Sequence, residues 1–196
     1  YSAAAYCVTD ADPTPTITGL SGGSFSSTAG LSISGGTGAI DVSASTPGTY
    51  TVTYTTTGSC PNSSNVSVTI NALDDASFSY SAAAYCVTDS DPTPTITGLT
   101  GGSFSSTAGL SISGGTGLID VSASTPGTYT VTYTTAGTCP NSSNVSVTIN
   151  ALDDASFNYG AAAYCAGDAD PTPTITGLSG GSFSSTAGLS ISGGTG

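Results

Sequence analysis

Aspartate and cysteine are the residues whose types and spacing could do chemistry in this chain. All twelve acidic residues are Asp, and there is no Lys, Arg or His. Asp74-Asp75 and Asp89-Ser90-Asp91 each bring two carboxylates together on segments that read as loop. Hard cations take several oxygen ligands at about 2.3–2.6 Å. Asp74, Asp75, Asp89 and Asp91 therefore form a candidate calcium site at a junction in the chain. The competing reading is that they cap turns, a role that suits Asp91-Pro92. The five cysteines include two pairs at the same spacing, Cys7 with Cys60 and Cys86 with Cys139 (60 − 7 = 139 − 86 = 53). Pairing Cys7–Cys60 and Cys86–Cys139 leaves Cys165 with a partner beyond the chain end. A disulfide closing such a loop stabilises by about 4 kcal/mol in the chain-entropy treatment. This is the expected pairing, because it braces each small core. A second connectivity, Cys60–Cys86 with Cys139–Cys165, stays open on spacing alone. Either one implies an oxidising, extracellular setting.

The residues that are missing exclude much else. No Ser–His or Cys–His pair can form, and no cationic side chain can hold an oxyanion. The chain does not read as an enzyme. A net charge of −12 with no cationic side chain leaves nothing to neutralise phosphates, which excludes nucleic acid as a partner. Anionic membrane surfaces are excluded on the same ground. No apolar run approaches the ~18 residues of a membrane span. Cations, glycans, other surfaces and further copies of the chain remain as partners. Asn62-Ser63-Ser64 and Asn65-Val66-Ser67 match an N-glycosylation pattern.

The elements that must position these residues come in copies. Tyr1–Ser79 recurs as Tyr80–Asn158 and begins again at Tyr159, a period of 80 − 1 = 79 residues. The first two copies differ at six positions, Ala11/Ser90, Ser21/Thr100, Ala39/Leu118, Thr57/Ala136, Ser59/Thr138 and Ser79/Asn158. The expected units are 1–73, lacking a first strand, 74–152, complete, and 153–196, truncated. An active site is needed once, whereas copies in series suit length or valency.

Within the middle copy, Tyr129, Val131 and Tyr133 alternate with Thr128, Thr130, Thr132 and Thr134, which predicts a strand with an aromatic inner face. Val145, Val147 and Ile149 predict a second strand, and Leu118, Ile119 and Val121 a third. Shorter strands are expected at 77–80, 84–87, 95–97, 103–105 and 110–112. Thr125-Pro126-Gly127 reads as a tight turn. No window has a helical period. The fold class is therefore all-β, with tandem immunoglobulin-like sandwiches of about 79 residues placed head to tail. A β-solenoid would need shorter internal periods, which are absent. The connection through Asn71–Asp75 is short, so neighbouring repeats are expected to be restrained.

The series Phe78-Ser79-Tyr80, Tyr85-Cys86, Pro94-Thr95-Ile96-Thr97-Gly98, Gly101-Gly102-Ser103-Phe104, Ile119-Asp120-Val121, Pro126-Gly127-Thr128-Tyr129, Cys139-Pro140 and Val147-Thr148-Ile149 resembles the immunoglobulin-like or PKD-like repeats of giant cell-surface adhesins of Bacteroidota, of the gliding-motility type. The resemblance covers the whole chain. It implies secretion by the type IX route, a place at the cell surface and a spacer role, with no catalytic residues. The expected function is an extracellular filament or adhesin stalk that spaces a tip from the cell. The alternatives are a multivalent module binding glycans or surfaces, and a fibre subunit that assembles by edge-strand addition.

Overall fold

The computed structural model describes residues 1–195. These residues contain sixteen strands and no helix. The first repeat holds β1 (Ala5–Cys7), β2 (Ser24–Ser27), β3 (Ser32–Ile33), β4 (Ile40–Asp41), β5 (Gly48–Thr55) and β6 (Ser63–Asn71). The second holds β7 (Phe78–Ser79), β8 (Ala84–Cys86), β9 (Thr95–Ile96), β10 (Ser103–Ser106), β11 (Ser111–Ile112), β12 (Ile119–Asp120), β13 (Gly127–Thr134) and β14 (Ser142–Asn150). The start of the third forms β15 (Phe157–Asn158) and β16 (Thr174–Ile175).

The second repeat shows the full plan. One layer is the four-stranded sheet β10-β13-β14-β8. The central pair β13–β14 runs antiparallel, Gly127 opposite Ile149 through Thr134 opposite Ser142. The outer strand β8 lies parallel to β14, with Cys86 level with Asn150. The facing layer consists of the ribbons β7-β9 and β11-β12. Ile119 N–H donates to the Pro92 carbonyl at 3.1 Å and ties β12 to the segment that leads into β9. The chain thus crosses layers between β7 and β8, splitting its opening strand between both sheets. This is an open immunoglobulin-like sandwich.

Side-chain alternation explains the core. Tyr129, Val131 and Tyr133 point inward from β13, at 7%, 0% and 0% exposure. Val147 and Ile149 join them from β14, and Ile119 and Val121 from the facing layer. Each buried aliphatic side chain stabilises by about 1.5–3 kcal/mol. The intervening threonines form the outer face, where Thr128 and Thr148 hydroxyls meet across the strands at 3.0 Å. Gly102 is required where the chain enters β10, since a Cβ there would lie 2.1 Å from the Thr134 carbonyl oxygen.

The first repeat builds the same sheet, β1-β6-β5-β2, around its own core of Ile40, Val42, Tyr50, Val52, Val68 and Ile70. It has no counterpart of β7 or β9 among the described residues. Among the described residues of the third repeat, only β15 and β16 pair.

Candidate functional site at the repeat junction

The cystine is the first finding here, and it corrects the sequence expectation. Cys7 is bonded to Cys139, with Cα atoms 5.6 Å apart and 132 residues between them in sequence. Neither Cys7–Cys60 nor Cys86–Cys139 forms, and neither does Cys60–Cys86 or Cys139–Cys165. Cys60, Cys86 and Cys165 are exposed free thiols. Strand direction is the reason. Cys7 ends β1 level with Asn71, the last residue of β6. Cys60 lies before β6 begins. The nine residues of β6 therefore separate the two, roughly 27–30 Å at ~3.3 Å per residue, whereas a cystine needs Cα atoms within about 7 Å. The same register separates Cys86, level with Asn150, from Cys139, which precedes β14. The observed step is one period plus the internal spacing, 79 + 53 = 132. It ties one end of the first repeat to the facing end of the second.

Asp74 holds the same junction without a covalent bond. It follows β6 after only Ala72 and Leu73. Its N–H donates to the Cys139 carbonyl at 2.8 Å. Its Oδ2 accepts from the Thr135 hydroxyl at 2.9 Å and from Gly137 N–H at 3.0 Å. Its carbonyl accepts from Asn141 Nδ2 at 3.0 Å. Two residues on, the Ala76 carbonyl accepts from the Ser143 hydroxyl at 2.5 Å. The loop 135–141 is thus gripped from one side by the incoming backbone and from the other by Cys7. Thr135 is 3% and Cys139 1% exposed. The sequence reading missed Thr135, Asn141 and Ser143 as partners. Their closeness to Cys139 was the only signal, and their partner lies more than sixty residues away.

The four aspartates proposed as calcium ligands do not meet. Asp74 and Asp75 stand at the end of the second repeat where β14 begins. Asp89 and Asp91 follow Cys86 at the end where β14 stops. Among the described residues, no cluster of three or more His, Cys, Asp or Glu side chains is placed to hold a metal ion. Each carboxylate instead accepts hydrogen bonds from protein donors, Asp75 and Asp89 within local turns and Asp74 and Asp91 across the fold. Asp89 Oδ2 accepts from Cys86 N–H at 2.7 Å, and Asp91 Oδ1 from Val121 N–H at 3.0 Å. Asp75 Oδ1 accepts from the Ser77 hydroxyl and amide. The Ser77 hydroxyl, and then its amide, hold the Asp75 carboxyl below the usual carboxylate range. The Ala123 amide and Ser122 hydroxyl do the same for Asp120.

Tyr80, the first residue after β7, is 9% exposed. Its hydroxyl donates to the Gly117 carbonyl at 2.5 Å. Burial, reinforced by Tyr85, pushes it up to about 12. Tyr85 itself is buried at 8% exposure, and its hydroxyl accepts from Ala82 N–H at 2.9 Å.

No protein-family model matches this sequence, and no curated protein matches it. Solved structures overlay on it in part. Mouse cadherin-23 EC22-24 is 13% identical with a TM-score of 0.33, over 79% of this chain and 64% of its own. Mouse clustered PcdhgC3 EC1-3 is 11% identical with a TM-score of 0.34, over 76% and 64%. Human CDH23 EC21-23 is 13% identical with a TM-score of 0.35, over 97% and 89%. The chain thus spans 64% of the length of each of the first two.

Proposed function

We propose that this chain is a stretch of shaft from an extracellular filament or adhesin stalk, with units 1–73, 74–152 and 153–196 placed head to tail. Its task is to hold a tip away from a cell surface, as in the Bacteroidota adhesins it resembles. The observation that carries this reading is the Cys7–Cys139 bond. A cystine inside a repeat would only brace a core. One that runs from a repeat to its neighbour, beside a connection only two residues long, resists bending where a string of domains is weakest. The same 132-residue step repeated along an array would lock every junction. A lasting disulfide also supports an oxidising, extracellular location. The absence of His, Lys, Arg and Glu from the sequence supports a structural rather than a catalytic role.

Small-angle X-ray scattering of the oxidised chain, repeated after reduction and on Cys7→Ser, tests the reading. Release of the junction is expected to broaden the distance distribution between the first two repeats. Superimposable curves before and after reduction would overturn the locked-shaft account.

A further inference from the structure

Two routes lead from the first repeat into the second, and both arrive at the head of β14. Along the backbone, β6 ends at Asn71, and only Ala72 and Leu73 precede Asp74. The Asp74 N–H then donates to the Cys139 carbonyl, while its Oδ2 accepts from Gly137 N–H. Across the cystine, Cys7 at the end of β1 reaches Cys139 directly. Only Pro140 and Asn141 separate Cys139 from Ser142, where β14 begins. From there β14 runs nine residues to Asn150. It is paired with β13 from Ser142 to Ile149 and with β8 from Thr148 to Asn150. At ~3.3 Å per residue the strand is already drawn out to roughly 30 Å, so it has almost no slack to give. Its far end, Asn150, lies level with Cys86, which is the copy of Cys7 one period on. The second repeat thus receives load at the head of β14 and hands it on at the tail.

The routes differ in length. From Cys7 to Cys165 the backbone covers 165 − 7 = 158 residues, whereas beyond the cystine only 165 − 139 = 26 remain. Tension is carried by the route that becomes taut first, and the longer one stays slack. We propose that the Cys7–Cys139 bond and β14 form a tie that carries tension past residues 8–138 and leaves them unloaded. The bypassed loop holds Ile40, Val52 and Val68 of the first core and Phe104, Val131 and Tyr133 of the second. Cross-links to other residues can shorten this route and cannot lengthen it, so the tie stands whatever flanks the chain. It stands equally for a spacer and for a binding array, because it rests on the cystine and the strand register alone. Two properties follow for the oxidised chain. It is short when pulled taut, and it hides the 132-residue step between Cys7 and Cys139, roughly 430–480 Å when fully drawn out. The cystine is also sheltered, with Cys139 buried at 1% exposure and Cys7 half-buried.

Optical-tweezers stretching of the 196-residue chain, held at its two ends with its free thiols alkylated, tests the proposal. Fully drawn, the oxidised chain should be shorter than Cys7→Ser by roughly 430–480 Å. A difference of roughly 175–190 Å or 350–380 Å, the length of one or two 53-residue loops, would place the bond inside a repeat and overturn the tie. Equal lengths would overturn it too. A second measurement asks whether the bypassed loop is spared. Reductant is added to oxidised molecules at a load under which Cys7→Ser molecules unfold only after a measurable delay. Cleavage should then be followed by delayed steps of release, as folded cores meet the load for the first time and open in turn. Release of the whole hidden length at the instant of cleavage would show that load had already unfolded them, and would contradict the proposal.

Discussion

The first and second repeats differ at six of 79 positions, yet the same residues have different surroundings in each. Tyr133 is fully buried while Tyr54 is only partly so. Thr135 and Cys139 are buried, while Thr56 is half-buried and Cys60 is an exposed thiol. Val145 packs on its core, while Val66 is 46% exposed. None of these pairs is among the six differences. The cause is the segment Asp74–Ser79, which packs against Phe104, Tyr133 and β9 in the second repeat and has no counterpart among the described residues of the first. Cys7, arriving from the preceding repeat, adds to it. A repeat of this kind is completed by the residues ahead of its Tyr and by its neighbour, so the sequence period and the cooperative unit are not the same object.

The largest expected effect separates two copies of one phenylalanine. Phe78→Ala removes a ring 8% exposed and packed on three aromatic neighbours, and should cost the second repeat about 3–5 kcal/mol in denaturant unfolding. Phe157→Ala, half exposed, should change stability by no more than about 0.5 kcal/mol. Equal effects would show that the two segments are packed alike.

Gly98→Ala comes next. Its Cβ meets the Asp75 backbone and should cost roughly 1–3 kcal/mol, whereas Gly19→Ala in the first repeat should fall within about 0.5 kcal/mol of the parent. A costly Gly19→Ala would mean that Gly19 is packed as closely as Gly98.

The smallest effect is on the alkaline side. The Tyr80 hydroxyl titrates near 12 in the fold against about 10 when unfolded. Its contribution is therefore complete below pH 10 and is lost as pH rises from 10 to 12. Thermal unfolding followed across that window should show the second repeat weakening, and Tyr80→Phe should flatten the slope. An unchanged slope in Tyr80→Phe would remove Tyr80 as the cause.

The strands were legible because a half-buried strand writes its period of two into the chain. Tyr129, Val131 and Tyr133 against the threonines placed β13, and Val145, Val147 and Ile149 placed β14. Even the two-residue strand β7 falls inside the expected 77–80. The junction was not legible, for a geometric reason. Spacing along the chain does not say at which end of a strand a residue stands. Cys7 and Cys60 share a repeat but stand at opposite ends of β6. Asp75 and Asp89 are likewise parted by the length of β14. The parallel pairing of β1 with β6 fixes these positions, and it joins residues such as Ala5 and Thr69 that no local pattern links. Asp74 reads as connector in sequence, yet its carboxylate and carbonyl are anchored by Thr135, Gly137 and Asn141.

Cystine mapping under non-reducing conditions tests the account most directly. Trypsin has no site in a chain without Lys or Arg, so cleavage must be at aspartate or aromatic residues. The copies remain distinguishable by mass, since Thr57 and Ser59 before Cys60 become Ala136 and Thr138 before Cys139. The expected result is a linked pair of peptides containing Cys7 and Cys139, with Cys60, Cys86 and Cys165 open to alkylation. Linked peptides joining Cys7 to Cys60, or Cys86 to Cys139, would place the staple inside each repeat and contradict a shaft locked at its junctions.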